Sequence, residues 1–322
     1  MAEKTGIAWT RSTFNPWIGC TKVGPGCDHC YAEALDARHR WGLKKGDGPA
    51  KGVAPHWGLG APRHHTGDDL WSAVKGWNDH AAWEKEHGRL RQPNDHWHTP
   101  GFWPVFCASL ADIFDNEVPE AWRNDLFNLI LRTPHLTWLL LTKRIGNVAK
   151  MMPSVICSSG REPLIPNVWL GASVVNQEEA NRDLPKLMET PAAKRFVSYE
   201  PALGPVDFSP WMCSPHEWVE VPSSNPETRR FTAGLSWVII GGESAQGGAK
   251  ARPFNIAWAR QTVSQCKAAG VPCFVKQLGW LPCWTQPGLG DVRFITKDRS
   301  GSDPAEWPED LRVQEFPERE TP

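Results

Sequence analysis

Cys20, Cys27 and Cys30 fall within eleven residues of the segment NPWIGCTKVGPGCDHCYAEAL, and three thiols that close in sequence can converge on one metal centre. The thiolate is the form that binds metal, and soft sulfur ligands favour zinc, copper(I) or iron–sulfur clusters over hard cations such as magnesium. A structural zinc site closes with four protein ligands. The spacing C-x6-C-x2-C supplies three, and no second C-x-x-C pair follows downstream. A four-iron, four-sulfur cluster held by three cysteines instead leaves one iron open to another molecule, which is what a catalytic cluster requires. Two other readings stand beside this one. Zinc could recruit His29, Cys107 or a more distant histidine as fourth ligand in a nucleic-acid-binding or partner-binding protein without turnover, or the cysteines could be small buried hydrophobes.

The elements around the thiols suit a ligand loop. Gly19, Gly24, Pro25 and Gly26 let the backbone turn tightly around a bulky inorganic group, and YAEALDARHRW from Tyr31 onward has the composition of a helix. Nine cysteines at irregular spacing fit a reducing compartment better than a disulfide framework. The N-terminus MAEKTGIAWT lacks the charged and apolar regions of a signal peptide, and no apolar run reaches the roughly 18 residues that cross a bilayer. The expectation is a cytoplasmic protein with no membrane partner. Its 322 residues, 40% of them hydrophobic, suffice for a large α/β core.

Six short apolar runs recur between residues 104 and 278: PVFCASL, LTWLLLTK, NVWLGASV, KRFVSYEP, LSWVIIGGE and VPCFVKQL. Runs without in/out alternation suit parallel strands covered on both faces, with the intervening helices as right-handed crossovers. Helices are expected at PEAWRNDLFNLILR, with Pro119 in the first turn, and at NIAWARQTVSQCKAAG, with Asn255 as N-cap and Gly270 as stop. In such arrays the loops after strand C-termini build the sites. The polar residues there are Ser109 and Asp112, Lys143 and Arg144, Ser173 and Asn176, Glu200, then Gly241, Gly242, Glu243 and Ser244, and finally Lys276 and Gln277. Gly241 and Gly242 would permit close backbone approach to a ligand, Glu243 could bind an ammonium or hydroxyl, and Lys143 with Arg144 could clamp a carboxylate or phosphate.

Taken together, TGIAWTRSTFNPWIGCTKVGPGCDHCYAE, FCASLADIF, LLLTKR, NVWLGASVVNQEEAN, RFVSYEPALGPVD and VIIGGESAQGGAKARPFNIAWARQTVSQCKAAGVPCFVKQLG resemble the phage-encoded three-cysteine-motif proteins of uncertain function, which look like members of the radical S-adenosylmethionine (SAM) superfamily. The resemblance covers most of the chain. It implies a partial (β/α)6 TIM-like barrel in which Cys20, Cys27 and Cys30 hold a [4Fe-4S] cluster and SAM chelates the open iron. An external electron donor would reduce the cluster, and SAM would cleave to a 5′-deoxyadenosyl radical that abstracts hydrogen from a substrate. Contacts to SAM would come from Ser109, Asp112, Lys143, Arg144, Ser173, Glu200, Gly241 and Gly242, with Glu243 serving SAM or substrate. The spacing departs from the superfamily's commonest C-x3-C-x2-C, and the GGE triplet follows the fifth run rather than an early strand. The phage setting points to a nucleobase or modified nucleotide in DNA as substrate. A member that keeps the fold, has lost activity and serves a partner is the remaining variant.

One domain is expected over residues 1–284, followed by a polar extension at 285–322 that wraps over the surface or frays. Residues 43–103 read as a loop-rich insertion or lid, because no helical or strand period persists through them. Its histidines, at 64, 65, 80, 87, 96 and 98, match no zinc spacing, and its tryptophans, at 57, 71, 77, 83, 97 and 103, are expected to pack the lid. A formal net charge of -1 excludes tight nonspecific DNA binding, which needs a basic surface. Cys213, Cys266, Cys273 and Cys283 are too scattered to read as auxiliary clusters, so buried free thiols are expected.

Overall fold

Runs that are apolar along their whole length become parallel strands in this computed structural model, which describes residues 3–44, 46–88, 101–152, 166–212, 219–221, 230–232, 234–245, 250–286, 288 and 290–318. The chain forms two compact units, the first of Met1–Lys22, Tyr31–Leu170 and Pro191–Ala193, the second of Val23–Cys30, Gly171–Thr190 and Lys194–Pro322.

In the first unit the elements run β1 (Ser12–Thr13), β2 (Trp17–Ile18), α1 (Tyr31–His39), β3 (His64–His65), α2 (Asp68–His87), β4 (Pro104–Cys107), α3 (Glu120–Leu131), β5 (Thr137–Thr142), α4 (Ile145–Met151) and the start of β6 (Val168–Ser173). Ser12 of β1 lies opposite Val105 of β4, and Val105 opposite Trp138 of β5, both in parallel register. Strands β2 and β3 form a small antiparallel pair. Phe14, Val105, Phe114, Leu126, Ile130 and Leu139 are buried in this unit's core. The first turn of α3 follows Pro119, which is the N-cap itself rather than a first-turn residue.

The second unit contains α5 (Gln177–Glu189), β7 (Lys194–Tyr199), β8 (Val219–Val221), β9 (Arg230–Thr232), β10 (Trp237–Gly241), β11 (Phe254–Asn255), α6 (Ile256–Ala269), β12 (Cys273–Gln277), β13 (Pro282–Gln286) and β14 (Gly290–Arg293). Strand β10 pairs in parallel with β7 on one side and β12 on the other. Phe196, Val197, Trp237, Ile239, Ile240, Phe274 and Val275 form its core. Helix α6 begins where the Asn255 side chain accepts a hydrogen bond from Ala257 N at 3.0 Å, and it ends at Gly270 in a left-handed conformation with φ 66°. Asn255→Ala is expected to lower stability by about 1 kcal/mol, measured by urea unfolding.

The parallel strands follow the order β1-β4-β5-β6-β7-β10-β12, a seven-stranded sheet in a mixed α/β chain. All six apolar runs are strands of it. The seventh, β1, was not legible, because two polar residues make no apolar run; its ladder is extended by Phe14 N donating to Phe106 O.

One expectation is corrected here, and one left open between two outcomes is narrowed. Within the segment expected to be loop-rich, α2 is a twenty-residue helix that buries Val74, Trp77, Asn78, Ala81 and Glu84. The helical period is present but diluted, since two of those buried positions are polar. Asn78 accepts from His135 N at 3.0 Å, and Glu84 pairs with Arg11 at 2.7 Å. The C-terminal extension does not fray over its described residues. Val275 N donates to Val313 O and Glu315 N to Cys273 O, so the tail adds an antiparallel edge to β12, and Trp307 and Leu311 are buried.

Candidate functional site

Strand β1 leads through β2 into the cysteine loop, which leads into α1, so the loop is the first strand-to-helix connection of the parallel chain. Its opening residues need a glycine. Gly19 has φ 114°, and a Cβ there would overlap the His56 carbonyl oxygen and lie 2.8 Å from His56 Cβ. Gly19 N donates to Leu110 O, and Gly58 N to Cys20 O, which fastens Cys20 between two neighbouring segments of the first unit.

Cys20 is half-buried beside a dense ionic network. Arg144 Nη1 stands 3.3 Å from Cys20 Sγ, and Nη2 donates to Thr21 O at 2.5 Å. Asp112 orients that guanidinium: it accepts from Arg144 Nη1 at 3.1 Å, Thr142 Oγ1 at 2.8 Å and Lys143 N at 3.0 Å. Arg63 joins Asp115, Glu117 and Thr21 Oγ1 in the same region. Burial, with Asp112 next in weight, pushes the Cys20 thiol up to about 12 against the pull of Arg144, so any metal bound at this sulfur would have to displace a proton.

A second clasp, inside the second unit, holds the other end of the loop. Pro25–Cys27 form a short 3-10 turn. Arg252 Nη1 donates to Pro25 O at 2.9 Å and contacts Asp28 at 3.2 Å, while Nη2 and Nε bind Glu243 at 2.6 and 3.1 Å. Glu243 Oε2 also meets His29 Nδ1 at 2.9 Å and accepts from Arg252 N at 2.8 Å. Burial works against ionisation of Glu243, but the hydrogen bonds from Arg252 and His29 outweigh it and hold the carboxyl below the ordinary carboxylate range. A depressed acid stabilises the fold above its ordinary pKa, and that contribution is lost as pH falls through the depressed value. The stability gap between wild type and Glu243→Gln is therefore expected to be widest near neutrality and to close in acid, as read by urea titrations across pH.

The remaining residues expected at strand ends occupy those ends. In the first unit, Ser109 Oγ accepts from Asn15 Nδ2 at 3.0 Å and its carbonyl accepts from Tyr31 at 2.6 Å, and Lys143 follows β5. In the second, Ser173 ends β6, and Glu200 follows β7 with Oε1 3.0 Å from Lys276 Nζ, an ion pair without hydrogen-bond alignment. Asn176 is the N-cap of α5, accepting from Glu179 N at 2.9 Å. The Glu179 side chain in turn sits where a Cβ on Gly24 would be, 2.7 Å away. Close approach at Gly241 and Gly242 is made by the protein itself: a Cβ on Gly241 would lie 2.5 Å from Glu200 Oε1, and one on Gly242 would overlap Leu278 O. Asp112 and Glu243, both expected to contact a ligand, are bonded by Arg144 and Arg252 respectively.

The donor set has the chemistry of a thiolate-bound cluster. Cys20, Cys27 and Cys30 are cysteines of one loop, with a cation beside the first. Among the described residues no group of three or more His, Cys, Asp and Glu side chains is gathered to hold a metal. Of the alternative fourth ligands, His29 is engaged by Glu243, and burial pushes the Cys107 thiol up. His64 and His65 form β3, His80 and His87 lie on α2, and His96, His98, Trp97 and Cys213 lie outside the described residues.

Residues 4–301 match DUF5131, a family described as a protein of unknown function. The chain belongs to the DUF5131 family. No curated protein and no solved structure matches it. The DUF5131 match spans the three cysteines and every strand-end residue above, and it stops at Gly301. No helix among the described residues is long and apolar enough to cross a membrane. Sequence reasoning missed Arg252, Arg63, Asp115 and Glu117. Their partners lie far away along the chain, as Arg252 and Pro25 do, and no local pattern marks them.

Proposed function

We propose that this DUF5131 protein is a radical SAM enzyme of the phage-encoded, three-cysteine kind, working in the cytoplasm with an external electron donor. The observation that carries the reading is the position of the cysteine loop. Three cysteines occupy the first strand-to-helix connection of a parallel α/β chain whose later strands also end in polar residues. We read the parallel strands as a partial (β/α)6 barrel in which β1, rather than β12, completes the six that precede and include the Gly241–Glu243 triplet.

Cys20, Cys27 and Cys30 would hold a [4Fe-4S] cluster, which when bound supplies the electron that cleaves SAM. The protein's own groups divide into those that hold the loop and those that hold the ligand. Arg144, oriented by Asp112, keeps the Cys20 end in place, and Arg252, oriented by Glu243, keeps the turn before Cys27 and the segment through His29 in place. Ser173, Lys143 and the Glu200–Lys276 pair are the groups with the chemistry to bind the polar ends of SAM. The substrate class proposed is a nucleobase or modified nucleotide in DNA.

Anaerobic incubation with dithionite and SAM tests the activity. The expected product is 5′-deoxyadenosine, made slowly alone and faster with a DNA substrate. Complete absence of SAM cleavage by cluster-loaded protein would refute the enzyme and favour a radical SAM fold that serves a partner.

A further inference from the structure

We infer that Arg144 sets the reduction potential of the cluster through its contact with Cys20, a role that rests on the radical SAM reading above. The side chain is almost fully buried, with 8% of its surface exposed, and its guanidinium has little freedom to turn away. Nη1 reaches Cys20 Sγ at 3.3 Å and Asp112 Oδ2 at 3.1 Å, and Nη2 reaches Thr21 O at 2.5 Å, with Asp115 Oδ1 at 3.8 Å. Its backbone N donates to Thr142 Oγ1 at 2.8 Å, and the same hydroxyl donates to Asp112 Oδ1. Asp112 also accepts from Phe114 N at 3.0 Å. The cation is therefore anchored from both its own backbone and its counter-ion.

Three thiolates leave an oxidised four-iron cluster with net negative charge, and reduction adds more. A buried cation at a ligating sulfur favours the more negative state and raises the potential, as do N–H donors to sulfur in general. Water and salt screen such a buried contact weakly. Asp112 acts in the opposite sense, because its negative charge disfavours the added electron. The fork geometry is specific to arginine: a lysine at 144 would keep a charge but could not reach the sulfur, the carboxylate and the Thr21 carbonyl together.

The experiment is a potentiometric titration, followed by electron paramagnetic resonance, of the full-length reconstituted protein and of Arg144→Gln, Arg144→Lys and Asp112→Asn, with circular dichroism melts alongside. Arg144→Gln is expected to lower the midpoint potential, Arg144→Lys to lower it less, and Asp112→Asn to raise it. An Arg144→Gln potential equal to or above wild type overturns the inference, as does a shift of Arg144→Gln and Asp112→Asn in the same direction, which would mean general disruption. Should Arg144→Gln hold no cluster, Asp112→Asn decides: a raised potential supports the inference, and an unchanged or lowered one overturns it. Wild-type protein that binds no cluster removes the radical SAM reading itself, whereas a wild-type cluster whose potential ignores these substitutions removes only the role of Arg144.

Discussion

Arg252→Met is expected to weaken iron retention by about 10–100-fold, the usual effect of removing a group that holds metal ligands in place. Arg252 is the link between Glu243 and the Pro25–Asp28 turn, and no second cation takes its place in the described contacts of Glu243. Its loss leaves a buried carboxylate with only His29 and a backbone N–H, a change that costs about 3 kcal/mol when one partner of a buried pair is removed. A quarter of the arginine side chain is exposed, which keeps the cost at the low end of that range. The double variant Arg252→Met/Glu243→Gln should recover part of the stability, because the orphaned charge is gone, yet should not recover the iron. Iron and sulfide assays beside urea unfolding separate the two effects. Recovery of both together would mean that the pair is merely structural.

Gly19→Ala is expected to cost about 3 kcal/mol or more, combining the strain of a non-glycine residue at positive φ with an overlap that the neighbours must relieve. The overlapping atom is a backbone carbonyl, that of His56, and so cannot rotate aside as a side chain would. His56 is itself tied down, its N and Nδ1 both binding Asp36 of α1 at 2.9 Å. The strain therefore passes from the start of the cysteine loop to the helix that follows it. Thermal melts should show the loss, and reconstituted Gly19→Ala should hold substoichiometric iron. A stable variant with full iron content would show that the loop bends elsewhere.

What the sequence disclosed follows from how local each interaction is. The six apolar strands and the ends of α6 were legible because burial on both faces writes an unbroken apolar run, and because Asn255 and Gly270 act within one turn of their own positions. Strand β1 was hidden because Ser12 and Thr13 are polar and pair by backbone alone. Helix α2 was hidden because Asn78 and Glu84 satisfy their buried polar groups with His135 and Arg11, far away in the sequence. The same distance hid the two clasps. Asp112 and Glu243 were visible as acids at strand ends, but only the structure shows that arginines occupy them. The cysteine spacing was legible, while the arginines that hold its loop came from elsewhere in the chain.

The central claim is that Cys20, Cys27 and Cys30 hold a cluster that binds SAM. Its most direct test is anaerobic reconstitution with iron and sulfide, followed by electron paramagnetic resonance of the reduced protein with and without SAM, beside Cys27→Ala. The predicted result is a four-iron signal that SAM alters and Cys27→Ala abolishes. Stoichiometric zinc with no cluster signal, or a cluster indifferent to SAM, would contradict it.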